Sequence, residues 1–285
     1  MTSVSSNRLS VSIVVAVKNG SRTLRRCLES IRLQTYPCEL VVMIDSGTTD
    51  DTAEIAAQYT NHVLVVAASL QERRNYGAEI LPSDIIGFID ADMILEPDVV
   101  LDAVLAIENG AGAVVIPERS FGESYWARVR AYERSFYFEI PSPSVESPRF
   151  FVSSVFFTIG CFDSRLDSAE DTAINVSLSH NDIVIGRTSS WINHDEGPLT
   201  YRNACKKKGL YAVGIAQVTA IHGMGALLAF VTNRPWIRRP SLLLRQPCYG
   251  IGLLALKGGE TISVLFQLLL RGGLRRALRS LRPSK

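Results

Sequence analysis

Residues 85–92 read IIGFIDAD, an apolar run that ends on two aspartates separated by one small residue. A short continuous apolar run of this kind, bounded by polar residues, predicts a strand buried on both faces. In an extended chain, side chains two apart point the same way, so Asp90 and Asp92 face together while Ala91 faces the packing. Two carboxylates at the carboxyl end of a buried strand are oxygen ligands for a hard divalent cation. Mg2+ or Mn2+ keeps several waters and binds through one or two carboxylates plus substrate phosphates. Glu96 and Asp98, which follow, read instead as acids favouring the start of a helix.

Working outward, the same strand-then-helix rhythm repeats. VSIVVAV (11–17) precedes a stretch in which Leu24, Cys27, Leu28 and Ile31 recur at helical spacing. LVVMID (40–45) precedes TTDDTAEIAAQY, HVLVV (62–66) precedes QERRNYGAEIL, and IIGFID (85–90) precedes EPDVVLDAVLAIENG. Four such units predict an α/β fold with a mostly parallel, helix-covered sheet, nucleotide-binding in architecture; GAVVIP (112–117) adds a fifth strand. Asp45 ends the second strand, at the edge where ligands bind in open α/β sheets. Asp50, Asp51 and Thr52 read as helix-start residues.

Beyond that half, residues 123–140 carry aromatic and aliphatic side chains at helical intervals, and PSPSVESP (141–148) is too proline-rich for regular structure and is expected to be a mobile loop over the site. A strand over 150–157 is expected next, then a helix opening near Ser168, with short strands around 183–186 and 190–194. SAEDT is a good capping sequence, with Ser168 as N-cap and Asp171 at the third helical position. In HDEG (194–197), His194 and Glu196 share a face if the segment is extended.

At 285 residues, 47% hydrophobic and 20% charged, the chain can bury one large α/β core or two smaller ones. Its formal net charge of +2 is the sum of two unlike parts. Residues 1–233 hold 19 Lys+Arg against 27 Asp+Glu, or −8, and residues 234–285 hold 11 against 1, or +10. Five cysteines form no CxxC pair and MTSVSSNRLS has no apolar run, so a reducing cytoplasm is the expected compartment. Residues 209–233 carry no formal charge, but Gln217, His222 and four glycines make them a poor membrane span, and the runs LLAL and VLFQLLL are too short to cross a bilayer. In 271–285, Arg271, Arg275, Arg279 and Arg282 recur at helical spacing beside Leu270, Leu274, Leu278 and Leu281. That pattern describes a basic, apolar helix on an anionic membrane surface. Nothing resembling a base-stacking platform accompanies the arginines, so nucleic acid is not expected. The expected organisation is a nucleotide-sugar half (1–117), an acceptor and catalytic half (118–208) and a helical, membrane-surface extension (209–285).

VSIVVAVKNG, IDSGTTDDT, RRNYGAEIL, FIDADM, GCFDSRLDSAEDTAI and HDEG, in this order, resemble the large family 2 of nucleotide-sugar glycosyltransferases with a GT-A fold, over about residues 11–211. The resemblance implies that Asp45 bonds the nucleotide base, that Asp90 holds the ribose or the metal, and that Asp92 ligates the metal. It also implies that Arg74, Asn75 and Gly77 lie near the nucleotide and that Val17 and Asn19 border base and ribose. Glu170 and Asp171 match the acidic pair near the acceptor, Asp171 being the choice for the base that deprotonates the attacking hydroxyl. His194 is raised as a third metal ligand or a diphosphate contact. No QxxRW motif of the processive synthases occurs, favouring single additions, and the usual GGFD appears as GCFD, with Cys161 in place of a glycine.

These readings describe an inverting, metal-dependent glycosyltransferase that moves one sugar from a UDP- or GDP-sugar to a hydroxyl acceptor. A lipid-linked acceptor and a peripheral location on the cytoplasmic face of the cell membrane go with the basic tail. Two rivals stay open: a sugar-1-phosphate nucleotidyltransferase, for which AVKNGSR is a weak phosphate loop, and a nucleotide-sugar-binding scaffold, which would not need Asp171.

Overall fold

The structure is a computed structural model and describes residues 8–142, 145–166, 168–222 and 232–270. The arginine strip of 271–285 and the charge-free stretch past His222 lie outside the described residues. In chain order the strands are β1 (Val11–Val17), β2 (Glu39–Asp45), β3 (Val63–Val66), β4 (Ile85–Asp90), β5 (Met93–Leu95), β6 (Ala113–Val115), β7 (Glu118–Phe121), β8 (Phe150–Val152), β9 (Ile185–Arg187) and β10 (Ile192–Asp195). The helices are α1 (Leu24–Arg32), α2 (Thr52–Ala57), α3 (Leu70–Ile80), α4 (Val99–Glu108), α5 (Tyr125–Glu139), α6 (Ser153–Thr158), α7 (Glu170–His180), α8 (Tyr201–Leu210), α9 (Ala212–His222), α10 (Pro235–Arg238) and α11 (Pro247–Leu270), with a 3-10 turn at Pro240–Leu244.

Two compact units share the chain. The first comprises Met1–Ile116, Pro148–Cys161 and Ile183–Trp191; the second comprises Pro117–Ser147, Phe162–Asp182 and Ile192–Lys285. The chain thus returns twice to the first unit beyond residue 117, where the sequence reading drew one boundary, and the C-terminal helices fall in the same unit as residues 118–147.

The first unit is built on a sheet of order β3-β2-β1-β4-β8-β6-β9. β1 pairs in parallel with β2 and β4, β2 with β3, and β6 with β9. β8 runs antiparallel between β4 and β6. The central strands are buried along nearly their whole length, as their unbroken apolar runs require. Leu24, Cys27, Leu28 and Ile31 of α1 are all buried, so the helical spacing read from the sequence holds. The strand expected over 150–157 stops at Val152. Ser153 leaves the ladder, donating its amide to the Asp84 carbonyl (2.9 Å) and its hydroxyl to the Ser83 carbonyl (2.5 Å). The next residues then turn into α6, whose Phe156 packs on Phe88 and Phe151.

In the second unit β7 and β10 pair in parallel. Val129, Tyr132 and Phe136 of α5 form a core with Ala204, Leu242, Leu253 and Leu256, each large apolar side chain contributing about 1.5–3 kcal/mol by burial. The α8 and α11 helices run side by side and close together: the Tyr201 hydroxyl reaches the Ala255 carbonyl, a side chain at Gly259 would strike Tyr201 and Cys205, and one at Gly209 would strike Ser263. The two short apolar runs of the C-terminal region are therefore parts of one 24-residue helix. At 1.5 Å per residue it is long enough, and apolar enough, to cross a bilayer by length and composition, which corrects the reading of LLAL and VLFQLLL as too short. The proline-rich segment 141–148, expected as a mobile loop, is tied at its described flanks. Ser142 donates its amide to Glu146 (2.8 Å) and its hydroxyl to the Asn233 carbonyl (2.9 Å), and Asn175 donates to the Glu146 carbonyl (3.2 Å).

Candidate active site

Parallel pairing sets the strand ends level. Ala16 of β1 lies opposite Asp90 of β4, and Val17 lies opposite Ile44, one residue before Asp45. Asp45 and Asp90 therefore end adjacent strands on either side of β1, at one edge of the sheet. Helix α3 supplies the counter-charges. A reciprocal cap fixes its start, Ser69 Oγ accepting from the Glu72 amide (3.2 Å) and Glu72 Oε2 from the Ser69 amide (2.8 Å). With the helix phase set, Arg73 and Arg74 are both buried.

Arg73 Nη1 lies 2.5 Å from Asp45 Oδ2, while Asp45 Oδ1 accepts from the Gly47 amide (2.8 Å) and the Lys18 ammonium (3.0 Å). The Gly47 amide first, and then Lys18, hold the Asp45 carboxyl below the ordinary carboxylate range. Arg74 Nη2 sits 2.6 Å from Asp90 Oδ1, and Arg149 Nη1 sits 3.0 Å from Asp90 Oδ2. Each oxygen of Asp90, expected on ribose or metal, thus already carries a guanidinium. Asp92 is half-buried two residues further on. Among the described residues, no three His, Cys, Asp or Glu side chains gather as a metal-holding group. The donor set fits a hard cation shared between one carboxylate and a diphosphate, which needs no protein cage. Beneath the pair, Cys27 Sγ donates to the Asp90 carbonyl at 3.5 Å. Burial first, and then Asp90 and Asp92, push its thiol far up, so it stays protonated and unreactive.

Several expected nucleotide contacts have structural work instead. Asn19 adopts a left-handed backbone (φ 49), and its side-chain oxygen accepts from the Thr49 amide at 2.9 Å. Asp50 accepts from the Ser21 amide (3.0 Å), the Thr52 amide (3.2 Å) and the Thr52 hydroxyl, and Thr52 Oγ1 accepts from the Gly20 amide (2.8 Å). The Thr52 hydroxyl, followed by the Ser21 amide, pulls the Asp50 carboxyl down to about 2. Asp50 and Thr52 therefore pin the loop after β1 to the start of α2. Val17 is buried at the end of β1. Asn75 is half-buried on α3. Gly77 does not face the edge: a Cβ there would meet Val14 and Met43, so it lets α3 lie close on the sheet.

In the second unit, Glu170 and Asp171 open α7. The expected Ser168 cap does not form. Ser168 Oγ reaches the Tyr211 carbonyl at 3.5 Å, the residue before the helix is Ala169 in a left-handed conformation (φ 64), and no side chain caps it. Asp171 is consequently the second helical residue rather than the third. It is exposed, and no described residue hydrogen-bonds to it. His194 lies on β10, with Nδ1 3.3 Å from Glu118 Oε2, which also meets Arg134 at 3.2 Å. Its imidazole is thus engaged with a carboxylate of the neighbouring strand.

Sequence reasoning missed Arg73, Lys18 and above all Arg149. Arg73 stands beside Arg74 in the RRN motif and Lys18 follows β1, so adjacency could have found them. Arg149 carries no local signal, because only the antiparallel course of β8 brings it to Asp90.

The seven-stranded sheet with its acidic edge defines a GT-A-type fold. Residues 12–167 match the profile of glycosyl transferase family 2, more than half of the chain, and the chain belongs to that family. Among its relatives, glycosyltransferase GlyA of Streptococcus pneumoniae is 26% identical over 196 residues, 66% of this chain and 26% of that protein. A glucosyl-dolichyl phosphate glucuronosyltransferase of Haloferax volcanii is 28% identical over 179 residues, 55% of this chain and 57% of that one. The fold is also that of the mannosyltransferase PcManGT from Pyrobaculum calidifontis, solved with GDP-Man and Mn2+, at a TM-score of 0.57 and 15% identity, covering 98% of this chain and 89% of that one. The chain spans about a quarter of the length of GlyA.

Proposed function

We propose that the chain is an inverting, cation-assisted glycosyltransferase that moves one sugar from a nucleoside diphosphate sugar, UDP- or GDP-linked, to a hydroxyl acceptor. The observation that carries this reading is the sheet edge where Asp45 and Asp90 end parallel strands, with Asp92 two residues on and Lys18, Arg73, Arg74 and Arg149 around them. That edge combines a hard-cation ligand with fixed positive charge, the requirement of a diphosphate leaving group. The family match supports glycosyl transfer over nucleotidyl transfer and over a silent scaffold.

In this reading Asp45 and the loop after β1 receive the nucleoside, with Val17 and Asn19 as its floor. Arg74 and Arg149 keep Asp90 ionised and aligned, and Asn75 follows them on α3. Asp92 would hold Mg2+ or Mn2+, which supplies Lewis-acid stabilisation of the departing diphosphate. The acceptor oxygen bonds the anomeric carbon as the bond to the diphosphate oxygen breaks. Asp171 takes the acceptor proton, with Glu170 beside it. His194, engaged with Glu118, serves better as a positioned polar wall than as a third metal ligand. The relation to a dolichyl phosphate enzyme supports a lipid-linked acceptor. The basic run of 271–285 supports an anionic membrane surface, on the cytoplasmic face of the cell membrane, as the place of work.

Titration calorimetry with a panel of UDP- and GDP-sugars, with and without Mn2+, tests the reading. Asp92→Ala should remove the Mn2+-dependent part of donor binding. Asp171→Asn should keep donor affinity while turnover drops by about 10²–10⁴, the usual worth of a positioned base. Donor binding by Asp92→Ala that still responds fully to Mn2+ would remove the metal assignment. Equal loss of binding and turnover in Asp171→Asn would make that residue structural.

A further inference from the structure

Helix α11 sorts its side chains with unusual clarity. Ile251, Leu254, Ile262, Leu265, Phe266 and Leu269 are all exposed, Leu269 by 82% and Ile251 by 70%. At about 100° per residue they fall on a single face, and the turns between them are filled by exposed Ala255, Gly258 and Thr261. The result is an uncharged apolar stripe about 27 Å long, from 18 residues at about 1.5 Å each. Soluble surfaces rarely carry a contiguous apolar patch of that extent without a partner.

The opposite face of α11 holds its two charged residues. Lys257 Nζ lies 2.8 Å from Glu133 and 3.1 Å from Glu260, and Glu260 Oε1 lies 2.5 Å from Arg130. To cross a bilayer, α11 would have to leave these partners and carry both charges into hydrocarbon, where each is costly. The surroundings of the stripe are basic. On α8, packed alongside, Arg202, Lys206 and Lys207 are exposed. The 15 residues that follow Leu270 contain six Arg or Lys and no acid. A second copy seated on the stripe by two-fold symmetry would bring these like charges together, whereas anionic lipid complements them.

We propose that α11 lies in the plane of an anionic membrane with its apolar stripe buried in the headgroup and acyl boundary, the rest of the second unit remaining in water. The inference rests on the membrane reading above in one respect, that the chain meets anionic lipid. It relocates the apolar anchor from 271–285 to the described helix and rules that helix out as a membrane span. It gives the basic residues the role of long-range attraction and the stripe that of salt-resistant retention.

Full-length protein, a Leu254→Ser/Ile262→Ser/Leu265→Ser variant and a chain ending at Leu270 are floated with phosphatidylglycerol-containing and pure phosphatidylcholine vesicles. Salt is low or about 1 M, where screening shortens to about 3 Å. Donor binding serves as the folding control. The stripe variant should lose anionic-vesicle binding by about tenfold or more at high salt, since retention scales with buried apolar area. The truncated chain should bind more weakly at low salt and retain the salt-resistant part. In a Phe266→Trp protein, read as a difference from its parent, emission should shift to the blue and be quenched by lipids brominated near the boundary, at a depth of about 5–10 Å. Undiminished binding by the stripe variant, with loss on truncation, overturns the α11 inference and leaves the membrane reading standing. Absence of vesicle binding by the full-length chain overturns both. Quenching of Phe266→Trp strongest at the bilayer centre, or a stripe-dependent dimer in lipid-free sedimentation, also overturns it.

Discussion

Asp90 shows how one residue of an acidic motif can be committed before any ligand arrives. Its two oxygens meet Arg74 and Arg149 from opposite sides, at 2.6 and 3.0 Å, and both arginines are buried. Charge-assisted contacts of this kind hold a carboxylate ionised and fix its direction, so the neighbouring Asp92 keeps its relation to the strand end. Replacing Arg149 by methionine keeps length and removes the charge. Donor affinity at fixed Mn2+ should fall by about tenfold or more, the loss of a charged hydrogen bond of about 1.5–3 kcal/mol. Calorimetry giving the parental affinity for Arg149→Met would reduce Arg149 to packing. Cys161 is a second committed residue. It holds a left-handed backbone (φ 62) directly after Gly160 (φ 92), where the family pattern has a second glycine. That conformation costs a side chain roughly 1–2 kcal/mol, and glycine gives back about 0.4–1 through the freer unfolded chain. Cys161→Gly should therefore raise the urea midpoint by the equivalent of about 0.5–1 kcal/mol, and a lowered midpoint would mean that the Cys161 side chain packs for more than its strain.

At the level of elements, the second unit is held by charge buried between helices. Glu133 of α5 meets Lys257 of α11 (2.8 Å), Arg234 (2.9 Å) and Arg130 (3.5 Å). Burial alone would push the Glu133 carboxyl up, but Lys257, Arg234 and Arg130 win and hold it well below the usual carboxylate range. Removing one partner of such a cluster leaves buried cations without an anion. Glu133→Gln should therefore cost about 3–5 kcal/mol in denaturant unfolding, whereas Glu139→Gln, at an exposed pair with Arg245, should cost about 1 kcal/mol or less. Similar losses in the two variants would show that the cluster is solvated in solution.

Across the whole molecule, carboxylates favoured in the ionised form by the fold set the response to acid. The Asp50 carboxyl titrates near 2 in the folded chain against an ordinary 3.8, and Asp45, Glu72 and Asp84 are also lowered, mainly by hydrogen bonds they accept. Between the folded and unfolded values the unfolded chain binds more protons, so this stabilisation is complete above about pH 4 and is lost as pH falls through the folded values. The urea midpoint should drop from pH 4 towards pH 2. Asp50→Asn should start lower at neutral pH and decline less steeply across that window; parallel curves for variant and parent would show that Asp50 contributes nothing to it.

Local chemistry determined the first half of the fold and the acidic positions. Apolar runs ending in aspartate, with helical spacing after each, made the parallel strands, Asp45, Asp90 and Asp92 legible, because a strand buried on both faces must be continuously apolar and its polar end must lie at the sheet edge. What depended on distant partners was decided only by tertiary structure. Arg149 meets an aspartate 59 residues away because β8 inserts antiparallel between β4 and β6. Gly77 packs on the sheet rather than facing the nucleotide because α3 lies close enough to touch Val14 and Met43. The C-terminal helix looked like two short apolar runs because Lys257, Gly258, Gly259 and Glu260 interrupt them in sequence. The fold absorbs that interruption, burying both charges among the ions of α5 and fitting Gly259 against Tyr201 and Cys205. Hydropathy along a chain cannot register a charge whose partner is more than a hundred residues away.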